Sequence, residues 1–207
     1  MPKINVILAH CSDYGIGYRG KMGWRIDADM KLFAKLTTGR GDYKNAIVMG
    51  RTTWESLPGK RPLGSRDNLI LSRLSNDTPC TPHIEWFSDI EAVLSHCEKK
   101  QYDEVWVIGG EQVYSAFIGA VAPYRSIVHT VHITRIDAEI TCDTFCPAST
   151  VSETAMQEYF DTVSKRSGTE KCTVLSNGAD DVMPPLTVRD VTVTFCEYVN
   201  KMRKMRV

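Results

Sequence analysis

A carboxylate and an aromatic ring four positions apart are the first residues here that could do chemistry. Asp29 and Phe33 lie in residues 27–36, where Met30, Phe33 and Ala34 recur at helical spacing and Asp27 is suited to cap the helix start. On a helix, i and i+4 share a face, so acid and ring point the same way. If that face lines a pocket, the carboxylate can pair with an amidine-like N–C–NH2 edge while the ring packs on a planar heterocycle. Apolar surroundings would raise the acid's pKa. The plainer alternative is an acid placed at the first turn to meet the helix dipole.

A second group could hold phosphate. Gly109 and Gly110 stand between a buried run and a helical one, where glycines let a ligand approach the backbone and free N–H groups favour an anion. Packing alone also explains glycines in such a turn, and the dinucleotide fingerprint G-x-G-x-x-G is absent. Arg51, beside Thr52 and Thr53, follows another buried run, and Ser72 with Arg73 closes a third. Ligands of open α/β sheets gather at the carboxyl ends of strands, and guanidinium forks suit phosphate better than ammonium does. Judged singly, each arginine reads equally well as a solvated loop residue.

The scaffold for these groups is an alternation of short Val- and Ile-rich runs with helical patterns, which predicts an α/β fold with a largely parallel, buried sheet. Strands are expected at residues 4–9, 46–49, 68–72, 84–87, 104–108, 126–133 and 191–199. Helices are expected at 27–36, just after Gly50, at 88–99 with Ile90, Val93, Leu94 and Cys97 inward, and at 111–117. The polar stretch 164–187 is expected to be a surface insertion or hairpin. The basic tail 201–207 is expected to be a solvated, frayed end. With no repeat and no composition break, the 207 residues predict a single domain.

Bulk charge excludes some partners. Lys plus Arg and Asp plus Glu both number 25, so no overall field draws in nucleic acid or an anionic membrane. No apolar run approaches the roughly 20 residues of a membrane span, and residues 1–9 are too short and too β-branched for a signal peptide. The seven cysteines are scattered without a C-x-x-C pair. They read as free thiols of a reducing, cytoplasmic compartment, or else Cys142 and Cys146 form a metal or disulfide pair; no metal site is expected otherwise.

Taken in order, the motifs are specific. Gly15-Ile16-Gly17, Met22-Gly23-Trp24 and Asp29-Met30-Lys31-Leu32-Phe33 resemble the first segment of dihydrofolate reductases. The resemblance continues through Ile47-Val48-Met49-Gly50-Arg51-Thr52-Thr53-Trp54-Glu55-Ser56, Arg61-Pro62-Leu63-Gly64-Ser65-Arg66 and Asn68-Leu69-Ile70-Leu71-Ser72-Arg73. It then runs through Val107-Ile108-Gly109-Gly110-Glu111-Gln112-Val113-Tyr114 and Asp143-Thr144-Phe145. Roughly residues 3–147 are covered.

The resemblance implies a mixed, mostly parallel eight-stranded sheet flanked by helices, and NADPH-dependent reduction of dihydrofolate. It assigns Asp29 to the pterin's N3 and 2-amino edge, with Thr134 supporting that carboxylate and Trp24 holding the water that protonates N5. Ile7, Met30, Phe33, Leu57, Leu63 and Ile108 become the walls of the substrate cleft, and Arg66 the partner of the substrate's α-carboxylate. Ala9, Ile16 and Gly17 would touch the nicotinamide, with Tyr114 near its ring. Arg51, Thr52, Thr53, Gly109, Gly110, Glu111, Gln112 and Val113 would hold phosphates, and Ser72 and Arg73 the 2′-phosphate of NADPH. A cis peptide between Gly109 and Gly110, antifolate-type inhibitors as ligands, and a monomeric state are implied as well. Family members also occur fused to thymidylate synthase; such a fusion is not expected here.

Gly23, where most of the family has proline, is expected to loosen the loop over the nicotinamide. Arg25 adds a cation near the cleft mouth without an evident role. The competing readings are a riboflavin-pathway reductase on the same sheet, which needs no acid paired to a pterin, and a catalytically silent binder of nucleotide or folate.

Overall fold

The computed structural model describes residues 1–41, 44–73, 82–174 and 187–204. Apolar runs that are covered on both faces make its centre. β1 (Lys3–His10) is buried at almost every position. Two short strands follow, β2 (Gly15–Gly17) and β3 (Trp24–Ile26), and then α1 (Asp27–Thr37). β4 (Asn45–Gly50) runs straight into α2 (Arg51–Ser56), β5 (Asp67–Leu71) and β6 (Ile84–Phe87) follow, and α3 (Ile90–Lys100) leads to β7 (Glu104–Val107). The chain continues through α4 (Glu111–Ile118), β8 (Val128–Asp137), β9 (Thr144–Phe145), α5 (Ala148–Val151) and α6 (Glu153–Tyr159). A long hairpin, β10 (Phe160–Val174) and β11 (Thr187–Asn200), and the short α7 (Lys201–Lys204) close it.

Nine strands form one sheet in the order β3-β10-β11-β8-β1-β7-β4-β5-β6, and β2 and β9 pair separately. From β8 to β6 all neighbours are parallel. The β8–β11, β10–β11 and β3–β10 pairs are antiparallel. The sheet is thus mixed, flanked by helices, and one strand larger than the eight expected. A β3 of only three residues has no periodicity to read, and it exists because β10 is long enough to pair with it.

The polar stretch after residue 164 is a hairpin: residues 164–174 lie in β10 and pair in register with β11. Residues 175–186 of that stretch lie outside the described residues. β3 covers β10 only at Cys172, Thr173 and Val174; along residues 160–171 the outer edge of β10 meets no described strand. The start of the basic tail is helical rather than frayed, and Lys201 Nζ donates to the Gln157 carbonyl at 2.6 Å. Asp27 does not cap α1, whose N-cap position is Ile26 without a side-chain bond; Asp27 instead pairs with the exposed Arg25 at 3.1 Å. In α3 the capping acid is Asp89, which accepts from the Ala92 N–H at 2.8 Å.

Candidate active site

Asp29 sits in the first turn of α1, yet it is no surface dipole partner. Its side chain is 7% exposed, and Thr134 Oγ1 donates to its Oδ1 at 2.7 Å. Thr134 lies in the middle of β8, in register with Ala9 of β1 on one side and Phe195 of β11 on the other, so a rigid sheet aims its hydroxyl. Burial pushes the Asp29 carboxyl above its ordinary pKa, and the Thr134 bond offsets part of that rise. The result is a poorly hydrated acid with one protein donor and acceptor capacity to spare.

The apolar residues expected around this acid come together. Phe33, Leu57, Leu63 and Ile108 pack on a buried cluster containing Ile7, Ile47, Met49, Trp54 and Trp106. Met30 is half-buried and stands outside that cluster. Arg66 borders it: its guanidinium lies 5.8 Å from the Phe33 ring centroid, its Nε donates to Gly64 O at 2.9 Å, and its Nη1 donates to Thr37 Oγ1. Half-buried, Arg66 has its pKa lowered by desolvation, which leaves a cation well disposed toward an anion. Tyr114 donates its hydroxyl to the Ile7 carbonyl at 2.9 Å, and burial drives its pKa well up.

Trp24 on β3 is 3% exposed. Of the residues singled out from sequence and described here, it alone has a buried polar side-chain atom, the indole Nε1, without a protein partner. An unpaired buried donor costs about 1–3 kcal/mol, so such a group is one that a ligand or water must satisfy.

Toward the same carboxyl ends of the parallel strands, the ends of β4 and β7 meet. The Gly50 N–H donates to Gly109 O at 2.7 Å, and the Gly109–Gly110 peptide is cis, as the resemblance implied. Gly109 has a φ of 110°, and a Cβ there would press on the Tyr114 ring at 2.9 Å, so no other residue fits. A Cβ on Gly110 would stand 3.4 Å from Thr53 Oγ1, which brings the two expected phosphate-holding turns side by side. Val113 is buried and Glu111 is bonded by Ser115, while Gln112 and Thr52 are exposed. Arg51 is ion-paired with Glu55 at 2.8 Å, Ser72 donates its N–H to Phe87 O at 2.9 Å, and Arg73 is exposed.

Ile16 and Gly17 belong to a loop braced from several sides. Gly15 and Gly17 pair with Phe145 and Thr144, Asp143 N donates to Gly17 O at 2.9 Å, and Cys146 N donates to Tyr14 O at 3.0 Å. Cys142 is not partnered with Cys146. Its sulfur lies 3.8 Å from that of Cys11, beneath Gly15, where any Cβ would collide with both sulfurs. All six described cysteines are free, and no cluster of metal ligands occurs among the described residues. Gly23 is not a loose link: a Cβ there would lie 3.3 Å from Ile140 and 3.4 Å from the Thr141 carbonyl, so glycine permits close packing. A cavity of about 350 Å³ lined by His10, Tyr14, Arg135, Asp137, Glu153 and Thr194 includes none of the expected site residues. Its own Arg135–Glu153 pair at 3.0 Å spends the charge there. These braces join residues over 120 positions apart, which no local pattern announces.

Comparison with known proteins assigns the family. The dihydrofolate reductase family profile matches residues 3–175, and the chain belongs to that family. It is similar to the dihydrofolate reductase of Drosophila melanogaster, 35% identical over 152 residues, which cover 72% of this chain and 81% of the fly protein. The Schistosoma mansoni dihydrofolate reductase is 33% identical over 70% of this chain and 78% of its own length. Bifunctional dihydrofolate reductase-thymidylate synthase 2 of Arabidopsis thaliana is 38% identical over 74% of the chain, which spans only 27% of that longer protein. Among the described residues, no helix is long and apolar enough to cross a membrane.

Proposed function

We propose that this chain catalyses NADPH-dependent reduction of 7,8-dihydrofolate, with hydride transfer to C6 and protonation at N5, giving tetrahydrofolate. The observation that carries the reading is the buried Asp29 carboxylate, held by Thr134 at 2.7 Å on the helix whose Phe33 packs into one cluster with Leu57, Leu63 and Ile108. Asp29 pairs with the pterin's N3 and 2-amino edge, and its poorly solvated charge favours the protonated ring. Trp24, with an indole N–H free of protein partners, holds the water that brings a proton to N5. General-acid assistance of this kind typically contributes about 10²–10⁴-fold. Ile7 and Met30 complete the walls, and Arg66 takes the substrate's α-carboxylate.

The residues present also suit a dinucleotide. The close Gly110–Thr53 approach and the N–H groups that open α2 and α4 support phosphate binding by Arg51, Thr52, Thr53, Gly109, Gly110, Glu111, Gln112 and Val113. Ser72 and Arg73 take the 2′-phosphate, and Ala9, Ile16 and Gly17 flank the nicotinamide. When bound, NADPH supplies the hydride, and the protein supplies alignment and exclusion of water. The same reading takes residues 1–207 as one domain, monomeric and cytoplasmic.

The test is NADPH oxidation on addition of dihydrofolate, with and without methotrexate. Oxidation that depends on dihydrofolate and is abolished by the antifolate is expected. Its absence with a folded protein that binds NADPH would return the field to a pathway reductase of another substrate or to a silent binder.

A further inference from the structure

The β10–β11 hairpin does more than extend the sheet. Its last three rungs pair Cys172 with Arg189, Thr173 with Val188 and Val174 with Thr187. On their outer side the same residues pair with β3, Val174 opposite Trp24 and Cys172 opposite Ile26. Directly opposed residues of an antiparallel pair, and residues two apart on one strand, point to one face. Trp24, Ile26, Cys172 and Val174 therefore lie on one face, and they share a cluster with Val191, Val193, Ile136 and Ile140. Trp24, Ile26 and Cys172 are buried to within a few per cent.

A second grip comes from Arg189, whose Nη2 donates to the Glu139 carbonyl at 2.6 Å. Glu139 precedes Ile140, the residue that abuts Gly23 at 3.3 Å from where its Cβ would stand. The hairpin end thus holds Trp24 from its own strand and, through Glu139 and Ile140, from the residue before it. Among the described residues, β3 has no other strand neighbour in the sheet.

We propose that Cys172, Val174 and Arg189 are positioning residues for Trp24, making the end of the β10–β11 hairpin a clamp that sets where the indole N–H stands in the active site. This rests on the proposed reductase reading for the part Trp24 plays, and on the pairing geometry for the clamp itself. Only three rungs hold the tryptophan strand, so removing them leaves the rest of the hairpin paired.

The experiment compares two full-length variants with the parent chain. In one, residues 172–189 are replaced by Asn-Gly, joining the paired residues Lys171 and Asp190; in the other, only residues 175–186 are replaced by Asn-Gly, joining Val174 to Thr187 with all three rungs kept. Asn-Gly suits a two-residue hairpin turn. For the longer deletion, kcat with dihydrofolate is expected to fall about ten- to hundredfold while KM for NADPH stays within about twofold, since misplacement near an ångström has that effect on chemistry. The pH profile of kcat and the 19F resonance of Trp24, in protein labelled with 5-fluorotryptophan, should both move.

The shorter deletion should match the parent in all four readouts. An unchanged kcat and resonance in the longer deletion, or equal losses in the shorter one, would overturn the proposal. Should the longer deletion not fold, Arg189→Ala decides: a kcat reduced about threefold or more with a displaced Trp24 resonance, partly restored by Arg189→Lys, is expected on loss of one charged hydrogen bond, and parent-like behaviour would sink the clamp. If the parent itself does not oxidise NADPH with dihydrofolate, the reductase reading fails, and the Trp24 resonance still tests the clamp independently.

Discussion

The two ends of the candidate site solve opposite electrostatic problems. At Asp29 a single carboxylate is buried and bonded by one hydroxyl from mid-strand. At the ends of β4, β5 and β7 the charges are outside: Arg51 is 41% exposed and already paired to Glu55, and Arg73 is exposed. A buried charge is expensive to maintain and is kept where its effect on a reacting ligand is large. Exposed cations are screened and worth little until a polyanion arrives. On the proposed reading one end serves chemistry and the other grip, and substitutions should separate them.

Asp29→Asn should break the comparison most. Turnover in the NADPH oxidation assay at neutral pH is expected to fall on the order of 10²–10⁴-fold, because the amide accepts from Thr134 but carries no charge. The fold should survive and even gain. Because the Asp29 carboxyl titrates higher in the folded chain than in the unfolded one, the folded state holds the extra proton between those two pKa values, and stability falls as pH rises through that window. Asparagine removes that slope, so melting at neutral pH should rise by roughly 2–4 °C, as about 1 kcal/mol does in a chain of this size.

Thr134→Val should come next. It leaves the carboxylate without its donor, destabilising the chain by about 1–3 kcal/mol, more at pH 8 than at pH 5 because the charged form is the one deprived. Denaturant titrations at the two pH values measure it. Arg73→Ala sharpens the contrast at the other end: NADPH affinity should weaken about tenfold and NADH affinity hardly at all, with the difference shrinking in high salt. Equal losses for both cofactors would remove Arg73 from the 2′-phosphate site. The smallest effect belongs to Glu55→Gln, which frees Arg51 and should tighten NADPH slightly at low salt and not at high salt, visible by calorimetry.

What sequence made legible follows from what is local. Buried strands such as Ile47–Met49 and the Asp29–Phe33 helix face announce themselves by periodicity, and the ordered motifs tied them to one family. Neither reveals β3, which depends on β10 lying alongside, nor the β2–β9 pair that braces Ile16 and Gly17. Asp27 looked like a cap and became an exposed ion-pair partner because the chain enters α1 from an extended strand at Ile26. Gly23 suggested looseness; only the approach of Ile140 and Thr141 reveals that it serves tight packing. Cys142 was nearest in sequence to Cys146, yet a loop folded over Gly15 carries it to Cys11.

Among the described residues, a short β3 also leaves β10 without a strand on its outer edge along residues 160–171. An open edge of this kind is a template on which another molecule's strand can grow. Lys165, Arg166, Glu170 and Lys171 stud it, and charge repels such a visitor. Such charges disfavour edge-to-edge growth between molecules, a consequence separate from anything at the candidate site.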